Sequence, residues 1–297
     1  MSLCLRIREA APEIAVFGFS PAHEALRSLH VLSDVRHHPL HISWVLRTRA
    51  RMPAELKAKA EEFGFWCLDR PLLFGDIWPQ AEMASWEDQL AAAGEAPIQR
   101  FAEELIHAAL LHKGRGPRIA LDHFLQDQQL QQRALAQIQA CHAPSLSIMN
   151  ELINNPEQCR QHLIEFLSSY WESCIAPEWP SLQTQLWEDI SRRGRALARR
   201  GLPLMLAELA HTVRVDDSTG NVLFLAPGER RDTEEIDLAL SENDQILLVP
   251  SHFVWPELTT IVQKDNRKGR EQTTLLITYA TALCNTKDML PSRRKIS

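Results

Sequence analysis

The sequence lacks the cysteine spacings of a disulfide framework or a zinc site. Its 297 residues include six cysteines that form no CxxC pair. They are scattered along the chain: Cys4, Cys67, Cys141, Cys159, Cys174 and Cys284. A chain of this length can build its core without disulfides, and unpaired thiols are typical of a reducing compartment. We therefore expect a cytoplasmic protein.

Long apolar runs are also missing. The opening stretch, MSLCLRIREAAPEIAV, has no apolar region of the length that a secretory signal requires. No other run approaches the roughly 18 apolar residues of a membrane-spanning helix. A composition of 45% hydrophobic and 24% charged residues is typical of a globular protein with one large domain or two modest ones. We expect no membrane partner.

Motifs for the common enzyme chemistries are absent. The nearest approach to GxSxG, Gly18-Phe19-Ser20-Pro21, lacks the second glycine, and neither GxxxxGK[ST] nor GxGxxG occurs. His123 and Asp127 stand four residues apart on a predicted helix, which favours a surface contact unless a pocket surrounds them. We therefore predict no enzyme, no catalytic residues and no cofactor.

Positive charge is in deficit, with 32 Lys and Arg against 38 Asp and Glu, so any contact with DNA must be local. Basic residues are concentrated in a predicted helix that ends at Gly201: Arg192, Arg193, Arg195, Arg199 and Arg200. Such a face can meet phosphate. The negative net charge favours a solvated face, or arginines paired with acidic residues of a partner subunit.

Three histidines, His37, His38 and His41, lie close to Asp34 and have the residue types of a metal site. Pro39 interrupts their spacing, and no HExxH pattern or cysteine accompanies them. Local capping or hydrogen bonding is the simpler interpretation, so no metal site is predicted.

A second candidate region is aromatic: Phe63, Phe65, Trp66, Phe74 and Trp78. These side chains suit the wall of a ligand pocket, since such sites are largely apolar. Burial in the core is the interpretation we favour, because most aromatic side chains are simply buried.

The periodicity predicts an α+β fold. Residues 1–175 are mostly helical after one or two opening strands, with Ser20 capping a helix that ends before Pro39. Residues 176–281 hold the long arginine-rich helix and then strands, and residues 282–297 form a basic tail with Arg293, Arg294 and Lys295. Short connections favour a mainly antiparallel β-sheet packed on helices.

Two strand predictions are specific. Ile246 to Val249, closed by Pro250, reads as a strand buried on both faces, followed by the aromatics Phe253 and Trp255. Residues 213–215 and 222–225 read as a hairpin across a turn rich in Asp, Asn and Gly. A helical pattern is also predicted across residues 121–140.

Several segments resemble the N-terminal region of bacterial ArsR-type winged-helix transcription regulators. They are SPAHEALRSLHVLSDVRHHPLHISWV, WEDISRRGRALARRGLPLMLAELA, EIDL and ILLVPSHFVWP, and together they cover most of residues 14–280. LLVPSHFVWP and RHHPLHISW are the most specific of them. The resemblance implies a sensing and dimerising region, a homodimer and a small-molecule effector.

In that group a winged helix follows the sheet, whereas here only residues 280–297 remain, too few for one. We therefore expect the winged helix to be missing or separate, with the DNA-binding residues unknown. One alternative is a stand-alone small-molecule-binding or enzymatic α+β protein, with the aromatic segment and the histidine cluster at the mouth of its pocket. Another is a protein that only binds partner subunits and competes with full-length relatives for dimerisation.

Overall fold

The computed structural model divides into two compact units. One, the sheet unit, contains Met1–Phe19 and Ser181–Ser297, and the other, the helical unit, contains Ser20–Pro180. The structure describes residues 2–7, 12–68, 84–110, 118–225, 235–254, 258–267 and 270–281. The α+β class predicted from the sequence is confirmed. The first 19 residues join the C-terminal part of the chain, so the sheet unit is assembled from both ends.

The helical unit contains ten described α-helices. Their bounds are α1 Pro21–Ser33, α2 Ile42–Arg51, α3 Ala54–Glu62, α4 Gly64–Leu68, α5 Trp86–Glu95, α6 Ile98–Leu110, α7 Leu121–Gln126, α8 Gln128–His142, α9 Leu146–Asn154 and α10 Pro156–Tyr170. The predicted cap of α1 is confirmed: the Ser20 hydroxyl accepts a hydrogen bond from the His23 amide at 2.9 Å, and Pro21 occupies the first turn.

Helix α10 is the central element of this unit. It contacts α3, α5, α6 and α9, and it buries Cys159, Leu163, Phe166, Leu167 and Tyr170 along one side. Asn155 caps its start and Pro156 fills its first turn, where a missing amide hydrogen loses no helical bond. The chain then continues directly into a π-helical turn, Trp171–Ile175.

One helix prediction is corrected and another is confirmed. The pattern across residues 121–140 is divided into α7 and α8, because the Asp127 carboxylate accepts hydrogen bonds from the Gln129 and Leu130 amides and so starts a new helix. Helix α1 ends at Ser33, before Pro39 as predicted, and two short 3-10 turns occupy residues 35–37 and 39–41.

The described part of the sheet unit forms two four-stranded sheets and two α-helices. The strands are β1 Ser2–Arg6, β2 Ala15–Phe17, β3 Val213–Val215, β4 Val222–Phe224, β5 Glu235–Ala239, β6 Gln245–Ser251, β7 Thr259–Arg267 and β8 Arg270–Ala280. Helix α11, Trp179–Arg200, crosses the boundary from the helical unit, and α12, Leu202–Ala207, follows it. The described strand orders are β3-β4-β1-β5 and β2-β6-β8-β7.

Both sheets are mixed, so the expected mainly antiparallel sheet is wrong. The pairs β1–β5, β2–β6 and β6–β8 are parallel, whereas β1–β4, β3–β4 and β7–β8 are antiparallel. Short connections predict antiparallel pairing only between strands that follow each other along the sequence. The N-terminal strands β1 and β2 instead pair with strands from the far end of the chain, where no hairpin connection fixes the direction.

The core of the sheet unit is one apolar cluster shared by both sheets. Leu3 and Leu5 of β1 both face it, because side chains two residues apart on a strand lie on the same face. On the second sheet Ile246, Leu248 and Ile277 contribute, and α12 adds Met205 and Leu206. Among the described helices, none combines the length and apolar character needed to cross a bilayer.

Strand β6 is buried throughout residues 246–251, which confirms the strand predicted there. The strand does not close at Pro250, however. The Leu248 carbonyl accepts the Gly18 amide hydrogen, so the backbone groups of Leu248 point toward β2. Backbone groups two residues further along a strand point to the same side, so the Pro250 nitrogen also points toward β2, which has already ended at Phe17. The proline therefore interrupts no bond to a described strand, and β6 continues beside β8 to Ser251.

Candidate ligand-binding groove

A groove of about 510 Å³ lies in the helical unit between α5 on one side and α10 with the π-helical turn on the other. Pockets of a few hundred Å³ are large enough for a small organic molecule. Its apolar surface comes from Leu90, Ala91, Ile164 and Ala176, together with two tryptophans. We call it the α5–α10 groove.

Local bonds fix the orientation of α5. Ser85 and Asp88 form a capping box, in which the Ser85 hydroxyl accepts the Asp88 amide hydrogen at 3.1 Å. The buried Gln89 side-chain oxygen accepts hydrogen bonds at 3.0 Å from the Ser20 hydroxyl and the Ala22 amide. Because these bonds join α5 to the start of α1, residues 90, 91 and 94 are left facing the groove.

Stacked indoles form one end of the groove. The rings of Trp86 and Trp171 are parallel within 5°, with centroids 4.5 Å apart, and Trp179 packs against Trp171 at 5.3 Å. Trp171 opens the π-helical turn, where its carbonyl accepts the Ala176 amide hydrogen at 2.8 Å. Isolated π-helical turns often occur at functional sites, because the wider turn moves side chains out of their α-helical positions.

The two walls run in opposite directions. At the start of α5, Trp86 meets Trp171, whereas at the end of α5 a Cβ placed on Gly94 would lie 3.3 Å from the Ile164 Cδ1 atom. The groove therefore has a tryptophan end and a glycine end. Its polar lining side chains are Glu87 and Glu172, each beside one of the stacked tryptophans, with Ser168 and, further along α10, Gln161.

The structure keeps two of the three predicted histidines together, because the His38 and His41 rings lie 6.4 Å apart between centroids, whereas His37 is separate from them. His37 is exposed and its Nδ1 atom lies 2.5 Å from the Asp34 carboxylate. His38 and His41 are buried, and His38 packs edge-on against His30 at 4.9 Å between ring centroids. No group of three or more His, Cys, Asp or Glu within the described ranges is arranged to hold a metal ion.

His30 is a half-buried histidine that packs against His38 and that the sequence pattern did not include. Its Nδ1–H donates to the Cys67 carbonyl oxygen at 2.6 Å. Burial lowers the pKa of His30, although this hydrogen bond acts in the opposite direction. The neutral, hydrogen-bonded ring is therefore a packing element that joins α1 to α4.

The described aromatic residues of the second candidate region belong to the core. Phe63 is buried and stacks on Phe166 at 5.2 Å, and the buried Trp66 indole donates to the Leu105 carbonyl at 3.1 Å. This confirms the preference for core at those two positions. Phe65 is half-buried and packs edge-on against Trp66, while Phe74 and Trp78 lie outside the described residues.

Arginines of α11 form ion pairs within the chain. Arg192 pairs with Asp189, and Arg193 lies 3.8 Å from the buried Asp189 and 3.6 Å from Glu208. Arg200 also pairs with Glu208. Burial lowers the pKa of Arg193, against the opposing effect of Asp189. These side chains pair with acidic residues of the same chain, an arrangement that the sequence pattern did not predict.

Arg193 also lies over the Tyr279 ring, with its guanidinium carbon 5.7 Å from the ring centre. Burial raises the pKa of Tyr279 well above 10, and the nearby Asp189 charge adds to that effect. The face that could have met phosphate therefore includes an arginine built into the core of the sheet unit. Arg195 and Arg199 have exposed side chains.

The other described residues singled out from the sequence lie outside the α5–α10 groove. Asp127 caps α8, while His123 is exposed on α7. Phe253 is buried, and Trp255 lies outside the described residues. Arg293, Arg294 and Lys295 also lie outside them, so the predicted basic tail has no structural description.

Sequence reasoning missed the α5–α10 groove. Trp86 and Trp171 are far apart along the chain, and neither stands in a motif. Residues Ser85-Trp86-Glu87-Asp88 do carry the spacing of a capping box, which would have predicted the start of α5. No comparable local signal predicts that α5 packs against α10.

Comparison with known proteins adds a family but no function. One family model matches residues 1–269, and it is described as a family of unknown function (DUF5937). No curated protein and no solved structure matches the chain.

Proposed function

Since this chain belongs to the DUF5937 family, a family of unknown function, we propose its function from its own residues: it is the ligand-sensing and self-associating part of a transcription regulator of the ArsR-like type. The observation that carries the proposal is the α5–α10 groove, whose stacked tryptophans meet at a π-helical turn. The resemblance of residues 14–280 to that group supplies the regulatory context.

The position of the groove supports a sensing role. One wall is α10, which also contacts α3, α6 and α9. A ligand that packs against Ile164 and Ser168 therefore touches a helix that also packs against three other helices of the unit. Binding stabilises whichever arrangement of α10 holds the ligand better, and that difference in affinity is what a sensor requires.

Contact with DNA belongs, in this proposal, to a winged helix separate from the described residues. The proposal also includes a homodimer in the cytoplasm, as the resemblance implies. Trp187 of α11 and Leu204 of α12 are large apolar side chains with 44% and 51% exposure, which a subunit contact would cover.

A stand-alone small-molecule-binding or enzymatic protein is the second candidate. The observation that favours it is that the residues lining the groove all belong to the helical unit. A ligand could therefore bind without any DNA-binding domain. The two functions differ in whether filling the groove changes transcription.

A groove-filling variant provides the test. Ala91 is exposed on α5 and lines the groove, so Ala91→Phe places a ring in it, whereas Ala92 is also exposed but is not among the lining residues. The gene that encodes this chain is deleted in its source organism, and the strain is then complemented with the wild-type, Ala91→Phe or Ala92→Phe gene. Transcripts of the neighbouring genes are then measured.

We expect deletion to alter those transcripts, wild type and Ala92→Phe to restore them, and Ala91→Phe to fail while melting at the same temperature as Ala92→Phe. Unchanged transcripts in the deletion strain would rule out the regulator and leave the stand-alone protein. Full restoration by Ala91→Phe would remove the groove from the function.

A further inference from the structure

We infer that the α5–α10 groove binds an organic cation with an apolar body, such as an amine or a quaternary ammonium compound. The inference rests on the proposed function, because it gives the chemical class of the ligand for the same groove. Two features carry it: the sign of the charge along the groove and the uneven placement of that charge.

The charge along the groove has one sign. Among the described residues that line it, the ionisable side chains are Glu87 and Glu172, and neither lysine, arginine nor histidine is present. Both glutamates are exposed, so each can approach a ligand without a buried charge being created. A groove with this lining attracts a cation and repels an anion.

The charge is concentrated at the tryptophan end. Glu87 follows Trp86 and Glu172 follows Trp171 in the sequence, and those two indoles are stacked at 4.5 Å. The glycine end, with Gly94 and Ile164, carries no charge and offers an apolar surface. A ligand with a positive head and an apolar body matches both ends.

The exposed carboxylates supply the attraction for the positive head. Trp86 and Trp171 are buried and stack face to face, so they contribute apolar surface beside it. Glu87 and Glu172 attract a quaternary ammonium group by charge alone, without needing a hydrogen bond from it. The volume of about 510 Å³ exceeds what a metal ion needs and suits an organic molecule.

The Glu87 carboxylate also stabilises its own helix, and the experiment must separate that role from ligand binding. Glu87 lies in the first turn of α5, where a negative charge stabilises the helix. Glu55 lies in the equivalent position of α3 and Glu61 further along the same helix, both exposed and outside the groove. The double variant Glu55→Gln/Glu61→Gln therefore removes the same charge from another helix of the same unit.

The test is calorimetric titration of the full chain with three probes of similar size: benzyltrimethylammonium, benzyl alcohol and benzoate. We expect benzyltrimethylammonium to bind most tightly and to lose affinity about tenfold in Glu87→Gln/Glu172→Gln, as expected for two exposed charge pairs. Glu55→Gln/Glu61→Gln should bind like wild type, and added salt should weaken the wild type more than the groove variant.

The outcomes separate this inference from the proposed function. One possible result is that benzyl alcohol or benzoate binds as tightly as benzyltrimethylammonium, that Ala91→Phe abolishes this binding and that Glu87→Gln/Glu172→Gln leaves its affinity unchanged. That result would refute the preference for a cation but keep the groove as the binding site. Binding of no probe, or binding that Ala91→Phe leaves intact, would refute the groove itself.

Discussion

Gly201 sits between α11 and α12 in a backbone conformation that only glycine adopts readily. Its φ is 80° and its ψ is 169°, a region in which a Cβ atom collides with the residue's own backbone. A Cβ at this position would lie 4.0 Å from the Pro203 Cδ atom, an ordinary contact. The cost of Gly201→Ala is therefore local backbone strain, and we expect it to lower the free energy of unfolding by about 1–3 kcal/mol.

Gly194 provides a matched control on α11. It lies inside the helix, and an added Cβ would meet nothing within 4 Å. Alanine loses less conformational freedom than glycine in a helix, so Gly194→Ala should raise the free energy of unfolding by about 0.5–1 kcal/mol. The same chemical change is thus predicted to have opposite signs at positions seven residues apart.

Urea unfolding followed by circular dichroism measures both variants. The slope with urea should match the wild type, with the midpoint lower for Gly201→Ala and higher for Gly194→Ala. Because the chain forms two units, the fit allows two transitions. A Gly201→Ala protein as stable as the wild type would refute the requirement for positive φ, and a destabilised Gly194→Ala would refute the free space beside α11.

Two further predictions concern buried charge. Asp189→Asn removes the buried carboxylate beside Arg193 and leaves the more exposed Glu208, at 3.6 Å, as its acidic neighbour. We therefore expect a loss of up to about 3 kcal/mol in urea unfolding, and Asp189→Asn/Arg193→Met should recover part of it. In the folded state burial lowers the pKa of His23 well below 6.5, with Arg27 adding to the effect. The unfolded chain therefore binds the proton first, so stability is complete above about pH 6.5 and falls as the pH decreases, by at most about 1.4 kcal/mol per pH unit. His23→Gln should show a shallower loss between about pH 7 and pH 5, and an unchanged slope would contradict the assignment.

Local chemistry was predicted well. The hairpin of β3 and β4 formed as expected, because Asp216 accepts hydrogen bonds from Ser218 and Thr219 within the turn and Gly220 adopts a φ of 72°. The cap at Ser20 and the end of α11 at Gly201 follow from single residues in the same way. Each depends on groups only a few residues apart.

Prediction of the site failed because its residues are far apart in the sequence. The residues singled out were those with suggestive chemistry close together in the sequence, such as His37, His38 and His41. The structure buried two of these and exposed the third. Trp86 and Trp171, which stack at the groove, carry no motif and meet only because α5 packs on α10.

The sequence by itself determined the α+β class, the turns and the helix caps, since these depend on propensity and on hydrogen bonds between neighbours. Tertiary structure alone decided that β1 pairs in parallel with β5, that the arginines of α11 meet acidic residues of their own chain, and that two tryptophans form a groove. The hydrophobic effect is non-directional, so an apolar pattern in the sequence predicts which side chains are buried but not which partners they contact.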